Sequence, residues 1–241
     1  MARSTRRAGR SAVRASHWRP LALLGATVLA PLLLVGCASS ESVNPAFRLD
    51  PKEVETAKQR GLSLLNAGAD PYSVYRWTTK SVNERVSPEV ILQDAAMSSP
   101  MDEVAFAVAR SGGGDEQNAD RVAREAARRA SREVKFGVVL QISKSRDPST
   151  VQFELRTNAG QKYPPLAVEQ PQFLREVTSA LDPTTPPGAL YGYDVRFPVE
   201  GSPGYPPIGA DVSALTLVVR DGEAEGSADF ALASPQAGRS Y

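Results

Sequence analysis

The sequence predicts an α+β protein in which helices come first and antiparallel strands follow. Residues 118–133 repeat alanine and valine at helical spacing, which indicates one amphipathic helix. After residue 134 the chain carries runs of β-branched and aromatic residues with turn residues between them. These runs show no βαβ rhythm, so we expect them to pair as an antiparallel β-sandwich.

Two more helices are predicted before that one. Asp50, Pro51 and Glu53 form a capped helix start, because the aspartate can accept from the backbone of Glu53 while proline suits the first helical turn. Gly68 is expected to end this helix. A second helix should begin at Ser99-Pro100 and end at the glycines 112–114. The apolar face of the first helix consists of Val54, Ala57, Gly61 and Leu64.

Three segments are harder to assign from their pattern. Asp70-Pro71 begins a segment, 72–82, whose secondary structure the sequence does not decide. Residues 86–92 alternate in polarity and favour a strand, although Ser87-Pro88-Glu89 is also typical of a helix start. Residues 171–181 are predicted to form a short helix between strands.

The predicted strands and the overall division of the chain follow from these patterns. The division is a signal peptide at 1–36, a lipidated cysteine and tether at 37–49, a mainly helical region at 50–133, a β-sandwich region at 134–233 and a tail at 234–241. The alanine-rich helices either precede the sandwich or are inserted into it. The predicted strands are 136–142, 149–157, 188–200, 212–221 and 227–233.

The first 36 residues have the character of a secretory signal. They contain six arginines and no acidic residue, and the arginines precede an apolar run, Leu21 to Val35. As a helix this run would rise about 22 Å, which is short of a hydrocarbon core of about 30 Å. A cleaved signal peptide is therefore expected instead of a membrane-spanning helix.

The end of the apolar run, Leu34-Val35-Gly36-Cys37, resembles the lipobox of bacterial lipoproteins. This resemblance implies that Cys37 is linked to diacylglycerol, becomes the first residue of the mature chain and holds it to the membrane. Two or more acyl chains make such an anchor stable. Ala38, in place of aspartate, implies the outer membrane in a cell that has two. The alternative is a free or buried cysteine after a membrane helix.

The composition of the mature chain excludes several kinds of chemistry. Of 28 basic residues, six lie in the signal, which leaves 22 against 27 acids and a net charge of −5. This charge argues against nucleic acid as a partner. The single histidine is His17 and the single cysteine is Cys37, so the mature chain lacks the groups for a serine triad, a thiol nucleophile or a zinc site. We expect no catalytic residue, no metal and no cofactor.

A proline-rich loop is the best candidate contact surface in the sequence. Residues 201–208 form a stiff segment around Tyr205, which would lose little entropy on binding. Tyr191 and Tyr193 are further candidate contacts, if the sandwich brings them to the same end. The alternative is a structural loop that covers a sheet edge.

A stripe of arginines on the predicted helix 118–133 is a second candidate. The side chains recur at spacings of three and four residues and would share one face. That face could dock an acidic partner or the anionic headgroups near the lipid anchor. The alternative is a solvated face, moderated by Glu125 and Glu133. The stripe consists of Arg121, Arg124, Arg128 and Arg132.

A second resemblance concerns the C-terminal half. The turn at 160–165, the Pro187-Gly188 pair and the strand patterns at 195–197 and 215–219 resemble immunoglobulin-like domains of secreted bacterial proteins. The resemblance implies a fold and brings no site residue with it.

The function expected from these observations is a non-enzymatic structural or protein-binding component of the cell envelope. One alternative is a lipoprotein that binds a small ligand or glycan on a platform of Tyr191, Tyr193 and Tyr205. Another is a hydrolase that uses paired carboxylates such as Asp102 and Glu103.

Overall fold

A computed structural model describes residues 43–74, 78–112, 115–177 and 187–232, which contain three α-helices and ten β-strands. The α+β prediction is confirmed. The helices are α1 (Pro51–Asn66), α2 (Pro100–Arg110) and α3 (Glu116–Ala130). The strands are β1 (Thr78–Arg85), β2 (Val90–Met97), β3 (Glu133–Ser143), β4 (Gln152–Thr157), β5 (Lys162–Tyr163), β6 (Ala167–Val168), β7 (Gln172–Val177), β8 (Gly188–Pro198), β9 (Ala214–Asp221) and β10 (Ala224–Ala231).

The strands form two antiparallel sheets. The first sheet has the order β1-β2-β3-β8, and both β6 and β7 pair with the other side of β8. The second sheet has the order β10-β9-β4-β5. Strands β3 and β8 belong to the first sheet, and strands β4 and β9 belong to the second. β3 therefore lies beside β8, and β4 lies beside β9.

The two sheets share one hydrophobic core. Along β3 the even-numbered residues from Val134 to Ile142 are buried, as period-two alternation requires. The ring of Phe136 packs edge-on against Phe230 of the second sheet at 5.2 Å between centroids. The rings of Phe153 and Tyr193 lie 5.3 Å apart between centroids and are tilted relative to each other. Such rings contribute about 1.5–3 kcal/mol each through burial, so this contact between layers is a main source of stability.

The helices lie both before and inside the strand region, so each of the two predicted placements occurs. α1 precedes β1, whereas α2 and α3 are inserted between the paired strands β2 and β3. Gly61 lets α1 approach α2 closely, because a Cβ there would come within 2.5 Å of the carbonyl oxygen of Ala105. Lys58 is 4% exposed, and its Nζ lies 2.6 Å from Asp120 of α3.

The predicted helix caps are confirmed. Asp50 accepts from the backbone N–H of Glu53 at 2.8 Å, and Glu53 accepts from the backbone of Asp50 at 2.9 Å. Ser99 caps α2 by accepting from Asp102. Asp115, which was not predicted as a cap, accepts from Asn118 in the same way, so α3 begins at Glu116 and not at residue 118. These bonds satisfy backbone donors that the first helical turn leaves free.

The predicted helix at 171–181 is wrong where the structure describes it, because residues 172–177 form strand β7. Residues 172–177 pair with β8 on the side that β3 leaves free, and the sequence of the segment alone does not reveal this partner. The region predicted as mainly helical also contains two strands, β1 and β2, which form a hairpin. Residues 86–89 are the turn of this hairpin, so the strand expected at 86–92 begins at Val90 instead.

The segment predicted as tether is partly docked on the folded body. The side-chain amide of Asn44 donates to the carbonyls of Gly209, at 3.0 Å, and Val212, at 2.7 Å. Phe47 is buried in the shared core. The described part of the chain begins at Val43, and the predicted signal peptide, Cys37 and the predicted tail lie outside the described residues. None of the described helices combines the length and apolar character needed to cross a bilayer.

Candidate functional site

The outer face of the first sheet contains a trough made by small residues. In the register of β2, β3 and β8, Ala96 lies opposite Gly137, and the next pair along β3 places Val139 opposite Gly192. Glycine and alanine leave the backbone uncovered where neighbouring positions carry longer side chains. The result is a cavity of about 420 Å³, which Asp94 and Leu174 border.

A second cavity lies beside this trough, next to the helices. The second cavity has a volume of about 520 Å³ and reaches Phe106 of α2 and Ala126 of α3. Glu169, Gln172 and Asp194 line both cavities, so the two are neighbours. We call the two together the outer groove, with a floor formed by Ala96, Gly137, Val139 and Gly192.

Ion pairs line the wall of the outer groove. Lys135 Nζ lies 2.8 Å from Asp194, and Arg196 lies 2.5 Å from Glu169. The hydrogen bond to Glu169 raises the pKa of Arg196 above its ordinary value, so this guanidinium stays charged. Because each cation has a carboxylate beside it, the groove offers fixed donors and acceptors without a large excess of one charge. This arrangement suits a polar backbone better than a strongly charged ligand.

The strand edge beside the groove carries the largest group of exposed apolar side chains in the described part of the chain, and of these only Leu174 borders the groove itself. Four of the five large hydrophobic residues that are exposed there belong to the segment 166–174. Phe173 is 59% exposed and Leu174 is 49% exposed. The four residues are Leu166, Val168, Phe173 and Leu174.

Two consecutive apolar side chains of this strand edge lie on opposite faces of the first sheet, and a β-bulge follows the first of them. Phe173 pairs with Tyr191 and Arg175 pairs with Leu190, so Leu174 is the extra residue of β7. Leu174 lies over Gly192, since a Cβ on that glycine would meet its Cδ2 at 3.5 Å. The ring of Phe173 lies edge-on to Tyr191 at 6.1 Å.

The strands that carry these side chains also have a free edge. β6 and β7 both pair with β8, and among the described residues no strand pairs with their other side. An unpaired edge presents backbone donors and acceptors in the geometry that another strand requires. The outer groove therefore combines a small-residue floor, an ion-paired wall and an apolar edge with free backbone groups.

The predicted tyrosine contacts do not form a common platform. Tyr191 is half-buried beside Phe173, whereas Tyr205 is 38% exposed and its ring lies 6.2 Å from that of Tyr163, beside the second sheet. Tyr193 is 3% exposed, and its hydroxyl donates to the carbonyl of Pro148 at 2.9 Å. Burial raises the pKa of Tyr193. Tyr193 is therefore a core residue, which corrects its place among the contacts, because its position on β8 points to the inner face.

Three arginines of the predicted stripe, Arg121, Arg124 and Arg128, are exposed on α3, whereas Arg132 lies in the turn after the helix, which ends at Ala130 and not at residue 133. Arg121 lies 3.5 Å from Glu125, and Arg132 lies 3.2 Å from Glu200. Arg124 and Arg128 form no ion pair with any residue that the structure describes. The buried face of α3 carries Ala119, Ala123 and Ala130.

The carboxylates considered for hydrolysis are used in structural contacts. Asp102 is buried, lies 2.7 Å from Arg60 and accepts from the hydroxyl of Ser99. Glu103 accepts from the hydroxyl of Ser98 at 2.5 Å. Within the described ranges, no group of three or more histidine, cysteine, aspartate or glutamate side chains is arranged to hold a metal ion.

Sequence reasoning missed the outer groove. The apolar strand edge was hidden because residues 171–181 were expected to form a helix. One signal for the floor was present, since Gly137 and Gly192 interrupt strand patterns, and an isolated glycine in a strand often marks a bulge or a close backbone approach. The two glycines could not be placed on neighbouring strands without the pairing of β3 with β8.

Comparison with known proteins identifies no family for this chain. No family model and no curated protein matches it. Among solved structures it is similar to a novel protein of unknown function from Burkholderia pseudomallei K96243, at 9% sequence identity. The similarity covers 76% of this chain and 90% of that chain, with a TM-score of 0.27, and it establishes neither a shared fold nor a function.

Proposed function

We propose that this protein is a cell-envelope lipoprotein, anchored through Cys37, that binds an extended segment of another envelope protein without catalysing a reaction. The observation that carries this proposal is the concentration of exposed apolar side chains on the free edge beside the outer groove. Exposed apolar patches of this kind mark interaction sites in soluble domains.

The free edge of β6 and β7 supports binding by strand addition. In this mode an extended peptide pairs with a sheet edge, so main-chain hydrogen bonds supply affinity and alternate side chains supply specificity. Phe173 and Leu174 would contact apolar side chains of the bound segment. Natural sheet edges are usually protected by charge, proline or covering elements, which makes an apolar edge a feature that needs a partner.

The outer groove supports a role in specificity. A strand added beside β7 would lie about 10 Å from β8, so a part of the partner beyond the paired segment would fill the trough above Gly137 and Gly192. The paired charges Lys135–Asp194 and Arg196–Glu169 would then exchange hydrogen bonds with polar groups of the partner. Because the groove carries few uncompensated charges, we expect a segment of mixed apolar and polar residues and not an acidic or basic tail.

An immunoglobulin-like sandwich is the finer fold that we propose for the strand region. Its support is strand order. The sequence β2-β3-β8-β7 in one sheet corresponds to A-B-E-D of an immunoglobulin constant domain, and β10-β9-β4 corresponds to G-F-C. The helices α2 and α3 would then be an insertion between strands A and B.

The lipid anchor rests on the arginine-rich start, the short apolar run and Leu34-Val35-Gly36-Cys37. Mass spectrometry of the N-terminal peptide from native membranes tests it. We expect a peptide that begins at Cys37 and carries acyl mass, and a Cys37→Ser chain that is neither processed nor acylated. An unmodified thiol at Cys37 in the mature protein would contradict the anchor.

Site-specific photocrosslinking tests the binding edge. A photoreactive phenylalanine at position 174 should capture one envelope protein in living cells, whereas the same group at Lys162, on the edge strand β5 of the second sheet, should not. A Phe173→Glu/Leu174→Glu variant should lose that capture and keep its fold, because both side chains are already about half exposed. Equal capture from both positions, or from neither, would contradict the proposal, as would turnover that depends on a specific carboxylate.

Binding of a small ligand or glycan is the second candidate function. Its support is a smaller cavity, of about 270 Å³, in which Tyr205 and Pro164 lie beside Arg220. A saturable rise in Tm with a sugar or cell-wall fragment, absent in Tyr205→Ala, would favour this function over the first.

A further inference from the structure

The first described residues lie near the C-terminal end of α3. The backbone N–H of Val199 donates to the carbonyl of Arg132 at 2.7 Å. Ile208 donates to Val199 at 2.9 Å, and Asn44 donates to Ile208 at 2.9 Å. Neighbouring segments joined by such bonds lie about 4.8 Å apart, so Asn44 is within about 15 Å of Arg132.

Only a short piece of chain joins this point to the proposed anchor. Five residues separate Cys37 from Val43 in the sequence. Even fully extended, the connection spans at most about 22 Å. If Cys37 carries lipid, the surface around Val43 is therefore held close to the bilayer, and the nearby end of α3 is held with it.

The arginine face, on α3 and the turn after it, is largely exposed to that bilayer. Arg124 and Arg128 have no ion-pair partner within 4.0 Å among the described residues, although the carboxylate of Asp120 interacts electrostatically with Arg124. The carboxylates beside Arg121 and Arg132 are exposed, so they offset little of the charge. The opposite face of the helix is buried, which fixes the arginines outward. The mature chain has a net charge of −5, so this basic face is a local exception.

We propose that the face formed by Arg121, Arg124, Arg128 and Arg132 lies against anionic phospholipid headgroups of the membrane that holds Cys37. The proposal rests on the lipid anchor proposed above. It makes α3 a second membrane contact, which orients the folded body relative to the bilayer. Headgroup phosphates accept from guanidinium donors in a bidentate geometry, which favours arginine at such a surface.

Vesicle binding of the unacylated mature chain tests this contact. The chain would begin at residue 37 with Cys37→Ser, because the described body has its own core and the test must not depend on the acyl groups. We expect co-sedimentation with phosphatidylglycerol vesicles at low salt, little with phosphatidylcholine, and loss of binding in about 0.5 M NaCl as screening shortens the reach of the charges.

Matched charge variants make the test specific. Each basic residue near an anionic surface strengthens binding about fivefold, so Arg124→Gln/Arg128→Gln should lower the partition coefficient about 30-fold. Lys162→Gln/Arg175→Gln changes the net charge equally at exposed positions of β5 and β7 and should lower it less than about threefold. Thermal unfolding of all three proteins confirms that they are equally folded.

The possible results distinguish a failure of the arginine contact from a failure of the proposed lipid anchor at Cys37. Equal losses in both double variants, or no preference for phosphatidylglycerol, would overturn the arginine contact even if Cys37 is acylated. In that case, a protein crosslinked to position 124 in cells would identify an acidic partner instead of the membrane. Vesicle binding that depends on Arg124 and Arg128, together with an unmodified Cys37, would overturn the anchor and with it the orientation.

Discussion

The outer faces of the two sheets use the same strand geometry for different purposes. On the second sheet, Arg156 lies 2.6 Å from Glu154 and 2.8 Å from Glu225, and Arg220 lies 3.3 and 3.4 Å from the same carboxylates. This network covers the strands with charges that neutralise one another. On the first sheet, small residues leave a groove that Leu174 borders. Side-chain volume and charge, and not the strand scaffold, therefore distinguish a face covered by ion pairs from a face with a groove.

The two sheets also differ in how their edge strands are covered. At β10, the backbone N–H of Ser227 donates to Glu84 of β1 at 3.2 Å. A Cβ on Gly226 would come within 2.9 Å of Val86, so the first sheet covers this edge closely. Among the described residues no such cover exists for β7, which leaves Phe173 and Leu174 at an open edge.

The largest expected difference is in the free energy of unfolding, between a substitution in the core and one at the β7 edge. Phe136→Ala should lower the free energy of unfolding by about 3–5 kcal/mol, because it empties a fully buried site between the sheets. Phe173→Ala should lower it by less than about 1 kcal/mol, because most of that ring is already in water. Urea unfolding of both variants checks this. A comparable loss in Phe173→Ala would mean that the β7 edge is part of the fold and not a binding edge.

A smaller loss of stability is expected from a substitution at Tyr193, which was predicted from the sequence to contact a partner. Tyr193→Phe removes the hydrogen bond to Pro148 and should cost about 1 kcal/mol of unfolding free energy. It should leave the crosslink from position 174 unchanged. The control is Tyr205→Phe, for which we expect no measurable change in stability. A variant Tyr193→Phe with normal stability and no captured partner would return Tyr193 to the binding surface.

The smallest expected effect is on how stability depends on pH, through the ion-pair network on the second sheet. The hydrogen bond from Arg156 lowers the pKa of Glu225 below its ordinary value of 4.5. The folded state therefore favours the carboxylate, so this group adds stability above pH 4.5 that is lost as the pH falls through its lower folded-state pKa. Stability measured from pH 7 downward should decline less steeply in Glu225→Gln than in the wild type.

Glu223→Gln, in the turn next to the network, is the matched control for that measurement. It removes the same charge without breaking a bond to Arg156, so its pH dependence should follow the wild type. If both variants flatten the profile equally, the effect comes from net charge and the network has no specific role.

Much of the local structure could be predicted from local residues. Asp50 with Glu53 specified a helix start, and alanine spacing specified α3, because capping and amphipathic burial act within a few residues. Strands β3, β4, β8, β9 and β10 were recognised by their runs of β-branched and aromatic residues. The exceptions were β1, β5, β6 and β7, since a segment such as 172–177 becomes a strand only where a distant edge is available to pair with it.

The sequence by itself determined the capped starts of α1 and α2, the helical stripe of α3 and the strands β3, β4, β8, β9 and β10. It also carries the lipobox pattern at Cys37, which remains a prediction. Only the tertiary structure placed Gly137 beside Gly192, turned Tyr193 inward and left Leu174 at an open edge. The physical reason is that capping and alternation are local properties, whereas a groove is made by residues that strand pairing brings together from distant parts of the chain.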